Sequence, residues 1–417
     1  LQDIERLSRR EVVASVTDWR EAPEPAATLI ETPVYRQESG LWEHQKYFAK
    51  LAFDAHRGPF GARFVLADQV GLGKTLQLAM AAQLMALLGD KPVLVLAPRP
   101  LLWQWQDELL NLLDMPSSVW DGQQWVDHNG IEHPSTGPES IRTCPTRVGI
   151  VSTGPVTRRS EAAGWLAEMT FECVILDEAH RARRKNLRPG EEFDVADPNN
   201  LLEFLYRLSP RTKSLLLATA TPVQLHPIEV WDLLDALGRG SQAVLGGYGS
   251  LWRRPGTALP LVMGSEPLPD DPIAQWEWFR NPVPPASEGI DYRILRQALR
   301  VPDSEAVIPG SHFERLRPPD RARLQRIFPD LVTATNPFIR HIVLRTRDYL
   351  ETTHDPETGE PYLKPVRVNL FGERDEDAIR LPSFLEEAYA HAEEFCRLLG
   401  QRVKAGFFRT LLLRRVG

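Results

Sequence analysis

The sequence predicts an α/β protein whose core is a parallel β-sheet covered by helices on both faces. Short, mostly apolar runs are the candidate strands, at 63–67, 93–97, 147–152, 173–176 and 215–218. Longer amphipathic stretches between them are the candidate helices, at 42–57, 75–89, 100–113, 158–168, 199–208 and 227–237. Continuously apolar strands are buried on both faces, and helices that alternate with strands connect parallel neighbours. We therefore expect a layered α/β unit over residues 41–240.

The other segments are expected to be additions to this unit. Residues 1–40 are polar and contain prolines, which is typical of an N-terminal lead-in. Residues 115–145 are rich in Gly, Pro, Ser, Asn and Asp and indicate a surface loop. Ten prolines in 251–310 favour an irregular, Pro-rich insertion or linker over 241–310. From 311 to 417 the chain is helical and charged, and a segment at 340–351 leads to helices expected near 383–401 and 402–415.

Composition is typical of a soluble globular protein. Of the 417 residues, 42% are hydrophobic and 25% are charged, and the net charge is −7. The three widely spaced cysteines match neither a disulfide framework nor a zinc site, which favours a cytoplasmic location. No apolar run reaches the roughly 18 residues that span a bilayer, so no membrane association is expected. Since the chain begins at Leu1 and ends abruptly in a basic stretch, we expect a piece of a longer polypeptide.

A glycine loop connects the first candidate strand to the following helix and reads A-D-Q-V-G-L-G-K-T over 67–75. Glycines such as Gly71 and Gly73 let backbone N–H groups converge on phosphate oxygens, and the helix N-terminus adds a favourable field. We expect Lys74 to reach the β- and γ-phosphates and the Thr75 hydroxyl to bind Mg²⁺. Asp68 departs from the usual motif, which has glycine at that position.

An acidic motif of the DEAH type follows the strand predicted at 173–176. Carboxylates at the carboxyl end of a buried parallel strand lie at the sheet edge where ligands bind. We expect Asp177 to hold Mg²⁺ through water and Glu178 to orient and polarise the attacking water. The alternative is a solvated acidic turn, which the phosphate loop about 100 residues upstream disfavours.

A Thr-Ala-Thr-Pro motif at 219–222 ends the last candidate strand. Hydroxyl groups at a strand tip can hydrogen-bond to the acidic motif. We therefore expect Thr219 and Thr221 to couple the nucleotide site to the rest of the protein, with His180 relaying the nucleotide state to this motif. The alternative is a simple Thr-Pro turn.

Together these residues resemble the Swi/Snf-related, helicase-like ATPases of superfamily two, including their bacterial RapA-like branch. The resemblance covers about 41–238. The L-W-E-H-Q at 41–45 is similar to the family's entry motif, whose glutamine, here Gln45, recognises adenine. The stretch 67–77 is similar to the nucleotide loop and adds Leu76 to the expected contacts. The stretches 93–108, 150–153 and 219–234 are similar to segments Ia, Ib and III of the family.

The resemblance implies a RecA-like ATP-binding motor lobe over 41–240, with ATP and Mg²⁺ as cofactors. It implies an ATP hydrolase of the DNA-dependent ATPase or helicase type that moves along double-stranded DNA. The R-H-I-V-L-R-T-R at 340–347 is similar to the basic connector before the family's second motor lobe. The sequence contains no second set of motifs, so that lobe and its site-completing arginine are expected further along or on another chain.

A basic cluster after the acidic motif is a candidate nucleic-acid contact, and its members are Arg181, Arg183, Arg184, Lys185 and Arg188. Such contacts with phosphates would make binding salt-dependent. The alternative is a solvated loop that balances the acids at 191, 192 and 194. Trp103 and Trp105 either stack on bases or pack within their helix, and packing is favoured. The arginines at 409, 414 and 415 indicate an amphipathic helix that packs on further sequence.

Two other functions stay open at this point. The motor could be a module of a bacterial defence or restriction complex, although no nuclease motif is found in the sequence. It could also be a helicase-like lobe that serves mainly as a protein-binding scaffold, for example on RNA polymerase. A scaffold does not require Lys74, Asp177 and Glu178 together, which favours the ATPase, and protein partners are compatible with either function.

Overall fold

The strands form where the sequence has apolar runs, and they build one eight-stranded sheet. In the computed structural model the strands are β1 (Arg63–Leu66), β2 (Val93–Ala97), β3 (Ser117–Trp120), β4 (Trp125–Asp127), β5 (Val148–Ser152), β6 (Phe171–Leu176), β7 (Thr212–Ala218) and β8 (Ile342–Val343). Their order is β4-β3-β5-β2-β6-β7-β1-β8. Neighbours are parallel except for the antiparallel pair β3–β4. The predicted RecA-like parallel sheet is confirmed.

The structure describes residues 41–188, 190, 193–221, 226–354, 359, 361–363, 387, 391, 394 and 395. The elements named here all belong to the unit that ends at Leu363. The lead-in at 1–40 and the arginines at 409, 414 and 415 lie outside the described residues. So do the helices predicted near 383–401 and 402–415, apart from 387, 391, 394 and 395, which are helical.

Helices cover both faces of the sheet, as predicted. They are α1 (Glu43–Arg57), α2 (Lys74–Leu88), α3 (Leu102–Leu113), α4 (Thr153–Thr157), α5 (Glu161–Glu168), α6 (Asn200–Leu208), α7 (Ile228–Gly238), α8 (Gln242–Leu245), α9 (Pro255–Val262), α10 (Pro272–Phe279), α11 (Ile290–Leu299), α12 (Pro318–Thr333), α13 (Pro337–His341) and α14 (Arg347–Thr352). Among the described residues, none of these helices is long and apolar enough to cross a membrane.

The two faces of the sheet have separate hydrophobic cores because side chains alternate along each strand. In β2, Val93 and Val95 pack in the core that includes α1, α2 and α3. Leu94 and Leu96 point to the opposite core, which includes α6 and α7. The helix predicted at 158–168 is α5, which begins at Glu161 because Ser160 caps it by accepting from the Ala163 N–H, and the short helix α4 precedes it.

The prediction of a surface loop at 115–145 is wrong. Strands β3 and β4 lie within it, and β3 continues the parallel sheet beside β5. Trp120 and Trp125 are each 2% exposed, and their rings meet edge to face at 5.4 Å. Turn-forming residues dominate the composition of this segment, but the two tryptophans decide its burial.

The irregular structure predicted for the insertion or linker at 251–310 is also wrong, because the segment holds α9, α10 and α11 around an aromatic core. Trp252 is fully buried and meets Trp278 edge to face at 4.6 Å. Its indole N–H donates to the Trp278 carbonyl, and the Trp231 indole of α7 donates to the Trp252 carbonyl. The α9–α11 helices therefore pack directly against the sheet-covering helix α7. The domain boundaries at 240 and 310 stay predictions.

Candidate functional site

The phosphate loop lies between β1 and α2, at the carboxyl edge of the sheet. Gly71 and Gly73 have φ of 86° and 70°, in the left-handed region that favours glycine. A Cβ on Gly73 would lie 2.4 Å from the side-chain nitrogen of Gln45, whereas Gly71 faces open space. The loop therefore requires glycine at 73 and leaves room for a ligand beside 71.

Lys74 begins α2 and turns back over the loop. Its Nζ donates to the Asp68 carbonyl oxygen at 2.8 Å and to the Gln69 carbonyl oxygen at 3.5 Å. Burial lowers the pKa of Lys74, while the carboxylates of Asp68, Glu178 and Asp177 oppose that shift. The ammonium therefore lies within electrostatic range of the acidic motif.

The acidic motif reaches the same edge because β6, β7 and β1 are parallel, so their carboxyl ends lie together. One strand, β7, separates β6 from β1. Two neutral donors hold the Asp177 carboxylate. Its Oδ1 accepts the Glu178 N–H at 2.9 Å, and its Oδ2 accepts the indole N–H of Trp105 at 3.0 Å. Trp105 is 1% exposed and belongs to α3, so it is a packing residue, as favoured, and also a contact of the site. The sequence predicts its burial but not this hydrogen bond.

Glu178 has φ 54° and ψ 48°, a left-handed conformation that is costly for a residue with a side chain. This backbone orientation places Glu178 Oε2 3.1 Å from Nδ1 of His180. The same nitrogen lies 3.2 Å from Oγ1 of Thr219, which in turn accepts the Thr221 N–H at 3.1 Å. The structure thus brings together Glu178, His180, Thr219 and Thr221, while residues 222–225 lie outside the described chain.

Gln45 and Leu76 differ in what they offer to a nucleotide. Gln45 is 4% exposed, with its amide oxygen accepting the Trp42 N–H at 3.0 Å and its amide nitrogen donating to the Leu72 carbonyl at 3.3 Å. It braces the phosphate loop from the side of α1. The Leu76 side chain is partly buried and packs against the core that includes α1, α2 and α3.

Arg345, which the sequence places in the basic connector before a second motor lobe, also contacts the loop. Arg345, in the predicted basic connector, forms an ion pair with Asp68 at 2.6 Å. The pairing of β8 with β1 brings it there. Asp68 itself carried a signal, because an acid buried in a phosphate loop requires a cationic partner. Which of the chain's arginines supplies that partner cannot be read from the sequence.

The candidate nucleic-acid residues differ in their exposure. Arg184 is 1% exposed and forms a bidentate ion pair with Asp232, with its closest contact at 2.6 Å. Its prediction as a DNA contact is wrong, because the guanidinium is buried under α7. Arg181 is exposed, Arg183 is half-buried and lies 3.7 Å from Glu229, and Lys185 pairs with Asp197 at the surface.

The residues at this edge fit a nucleoside triphosphate with its metal ion. The open space beside Gly71 and the backbone amides at the start of α2 suit a phosphate chain. The Thr75 hydroxyl and the Asp177 carboxylate are oxygen donors of the kind that Mg²⁺ prefers. Among the residues that the structure describes, the Lys74 ammonium donates hydrogen bonds to carbonyl oxygens and to no carboxylate, so it can turn to phosphate.

Comparison with known proteins shows the family to which the chain is related. The SNF2-related domain family matches residues 44–256 of the chain. The RNA polymerase-associated protein RapA of Sodalis glossinidius (strain morsitans) is 29% identical over 188 residues, which are 45% of this chain and 17% of that protein. RapA of Actinobacillus pleuropneumoniae serotype 3 (strain JL03) is 30% identical over 188 residues, again 45% of this chain and 18% of that protein. The chain thus aligns with less than a fifth of each relative.

Among solved structures, the Sulfolobus solfataricus SWI2/SNF2 ATPase core in complex with dsDNA has a TM-score of 0.40 and 14% identity. That alignment covers 95% of this chain and 60% of the other. The Pyrococcus furiosus Hef helicase domain has a TM-score of 0.35 and 16% identity, with 71% of this chain and 54% of the other covered. Since the family match extends over half of the chain, the chain belongs to the SNF2-related family of helicase-like ATPases.

Proposed function

We propose that the chain carries the first motor lobe of an ATP-dependent translocase on double-stranded DNA, with the lobe at 41–240. The observation that supports it most directly is that Lys74, Asp177 and Glu178 lie at one edge of the sheet, within electrostatic range of each other and beside an open glycine loop. In α/β sheets this edge is where ligands bind. Catalysis of phosphoryl transfer is mainly positioning and charge stabilisation, and these side chains are of the type required.

Each residue has a defined part in this proposal. Lys74 and the loop amides bind the β- and γ-phosphates, with Gly71 and Gly73 giving the backbone its shape. Thr75 and Asp177 hold Mg²⁺, which when bound offsets negative charge on the phosphates. Glu178 accepts a hydrogen bond from the attacking water and orients it towards the γ-phosphorus.

Adenine recognition and coupling involve residues around the phosphate site. Gln45 recognises adenine from its place beside Gly73, and Leu76 contributes through its backbone. The contacts from Glu178 through His180 to Thr219 and Thr221 connect the water-activating acid to the tip of β7. A change at Glu178 can therefore be transmitted to the neighbouring loop.

The DNA contacts in this proposal are independent of base sequence. Arg181 and Lys185 are exposed beside the acidic motif, and Arg183 is partly exposed there. Such side chains reach phosphates, which position a protein without specifying sequence. The completing arginine is expected from a second motor lobe, in this or another chain. The RapA relatives are named RNA polymerase-associated, so a protein partner is part of the proposal too.

The test is the ATPase rate of the protein with duplex DNA, single-stranded DNA, RNA or no nucleic acid. We expect the largest stimulation with duplex DNA, and slow turnover without the second lobe. Lys74→Ala and Glu178→Gln should each reduce the rate by at least about 100-fold, because they remove charge stabilisation and water positioning.

Equal ATPase rates in all four conditions would contradict translocation on duplex DNA, but they would still support the proposed ATPase activity. No hydrolysis with any addition, even when the second lobe is present, would favour the alternative of a protein-binding scaffold. A motor module within a bacterial defence or restriction complex would give the same ATPase result as the main proposal, so that alternative concerns the protein's partners.

A further inference from the structure

The phosphate loop contains an acid whose charge opposes its proposed ligand. Asp68 is fully buried, two residues after the end of β1 and six residues before Lys74. An unpaired carboxylate at this depth repels a polyphosphate strongly, since Coulomb energies grow as the local dielectric falls. Burying such a charge without a partner is also costly. The loop can therefore bind an anion well only if the charge of Asp68 is balanced.

Arg345 supplies that balance from a distant part of the sequence. Its Nε donates to Asp68 Oδ1 at 3.0 Å, and its Nη2 donates to Oδ2 at 2.6 Å. The same guanidinium donates to Gln77 Oε1 at 2.8 Å and to the His44 carbonyl at 2.5 Å. A bidentate arginine of this kind fixes both the charge and the orientation of a carboxylate.

The backbone around Arg345 is attached to the loop as well. The Ala67 N–H donates to the Val343 carbonyl at 2.7 Å, and the Gln69 N–H donates to the Arg345 carbonyl at 3.0 Å. Leu350 packs with Leu72 in a small separate cluster. The segment 342–350 therefore lines the phosphate loop and reaches Gln77 of α2, although it lies beyond the residues that match the family.

We propose that Arg345 is a positioning residue of the nucleotide site, which neutralises Asp68 and holds the phosphate loop in the shape that accepts a triphosphate. It acts through Asp68, whose carbonyl oxygen accepts from Lys74. Nucleotide affinity is thereby linked to the docking of the 342–350 segment. The inference rests on the proposed nucleotide site and names a residue that supports it.

The test compares Arg345→Ala, Arg345→Lys and the double variant Asp68→Asn/Arg345→Gln with the wild-type protein. The measurements are the affinity for a fluorescent ATP analogue, KM and kcat for ATP, and the melting temperature. We expect Arg345→Ala to weaken affinity and raise KM by at least about tenfold, with a smaller change in kcat, because Asp68 is left uncompensated. Lysine keeps the charge but loses the bidentate contact, so its effect should be intermediate.

The double variant distinguishes charge balance from a general structural effect, since it pairs two amides where the ion pair lies. It should recover most of the lost affinity. Arg347→Ala is the matched control, because that side chain pairs with Glu351 in the same segment and should leave affinity unchanged. If Arg345→Ala fails to fold, the lysine and double variants carry the comparison.

Wild-type affinity in folded Arg345→Ala would overturn the proposal, as would a double variant that binds no better than Arg345→Ala. Failure of the proposed nucleotide site is seen separately, as absence of nucleotide binding by the wild-type protein. That result would overturn the present inference with it.

Discussion

The Asp177 carboxylate shows how single side chains are oriented at the sheet edge. Its two oxygens accept from the Glu178 N–H and the Trp105 indole, so its rotamer is set before any ligand arrives. Both donors are neutral, and the carboxylate keeps its charge for a cation. Hydrogen bonds to a charged group contribute about 1.5–3 kcal/mol. Trp105 is thus expected to matter for metal binding although it cannot itself bind a metal.

Trp105→Phe removes the donor and keeps most of the buried ring. We expect the Mg²⁺ concentration at half-maximal ATPase rate to rise by about tenfold, in line with one lost hydrogen bond to a charged group. Direct Mn²⁺ binding in the presence of ADP should weaken by a similar factor. Trp120→Phe is the control, since Trp120 is equally buried and its indole N–H has no hydrogen-bond partner among the described residues. Equal effects of the two substitutions would contradict a positioning role.

Two arginines of the basic cluster are expected to have different roles. Arg184 is buried and structural, whereas Arg181 is exposed and is a candidate DNA contact. Burial raises the pKa of Asp232, and the Arg184 guanidinium opposes that shift by pairing with it. Arg184→Ala should lower the free energy of unfolding by about 3–5 kcal/mol, because Asp232 remains buried without its main partner. Arg181→Ala should change it by less than about 0.5 kcal/mol.

For DNA binding the order is reversed: Arg181→Ala should have the larger direct effect, although its effect on stability is the smaller one. Arg181→Ala is expected to reduce the slope of log affinity against log salt by about one, as for the loss of one phosphate contact. The measurement is duplex affinity over a range of salt concentrations. Unchanged DNA affinity in Arg181→Ala would argue that this exposed arginine does not contact DNA.

At the scale of elements, a polar cluster joins α1 to the first residues of β6 and β7. His56 lies 3.0 Å from the Glu172 carboxylate and 2.7 Å from the Ser214 hydroxyl, and Lys213 donates to Glu172 at 2.8 Å. Burial alone would raise the pKa of Glu172, but the contacts with His56 and Lys213 outweigh it and lower the pKa to about 2. The cluster lies at the sheet edge opposite the nucleotide site, so its effect is on stability.

The stability that Glu172 contributes is therefore pH-dependent. Because its folded pKa is about 2 and its ordinary value is 4.5, the contribution is present above pH 4.5 and is lost as the pH falls towards 2. We expect Glu172→Gln to lower the free energy of unfolding by roughly 2 kcal/mol at pH 7 and to flatten its decline below pH 4.5. Urea denaturation between pH 2.5 and 7 measures this. Parallel pH curves for wild type and variant would contradict the assignment.

The central elements could be predicted from the sequence, and the peripheral ones could not. Apolar runs identify β1, β2, β5, β6 and β7, since buried parallel strands are apolar on both faces. In 251–310, prolines suggested irregular chain, yet Pro255 and Pro272 stand at helix starts, where proline is compatible with a helix. Tryptophans such as Trp252 then make the segment a packed layer, an outcome of tertiary contacts that local composition does not reveal.

At the scale of the whole molecule, the site is assembled from segments far apart in the chain. The phosphate loop, the acidic motif and Thr219 could be predicted because each ends a strand of the same parallel sheet. Trp105 and Arg345 could not, since their roles depend on which helix packs over Asp177 and which strand pairs beside β1. The fold therefore adds to the motifs the contacts that orient them.

We propose one nucleotide site at the carboxyl edge of the sheet, with Lys74 and Asp177 on either side of it. The most direct test of this site is titration of a fluorescent ATP analogue in the presence of Mg²⁺, with wild type, Lys74→Ala and Glu178→Gln. The melting temperatures of the two variants should match that of the wild type, which shows that they are folded. We expect saturable binding by wild type, at least about 100-fold weaker binding by Lys74→Ala, and near wild-type binding by Glu178→Gln without turnover. Equal binding by wild type and Lys74→Ala, or no binding by any of the three, would contradict the claim.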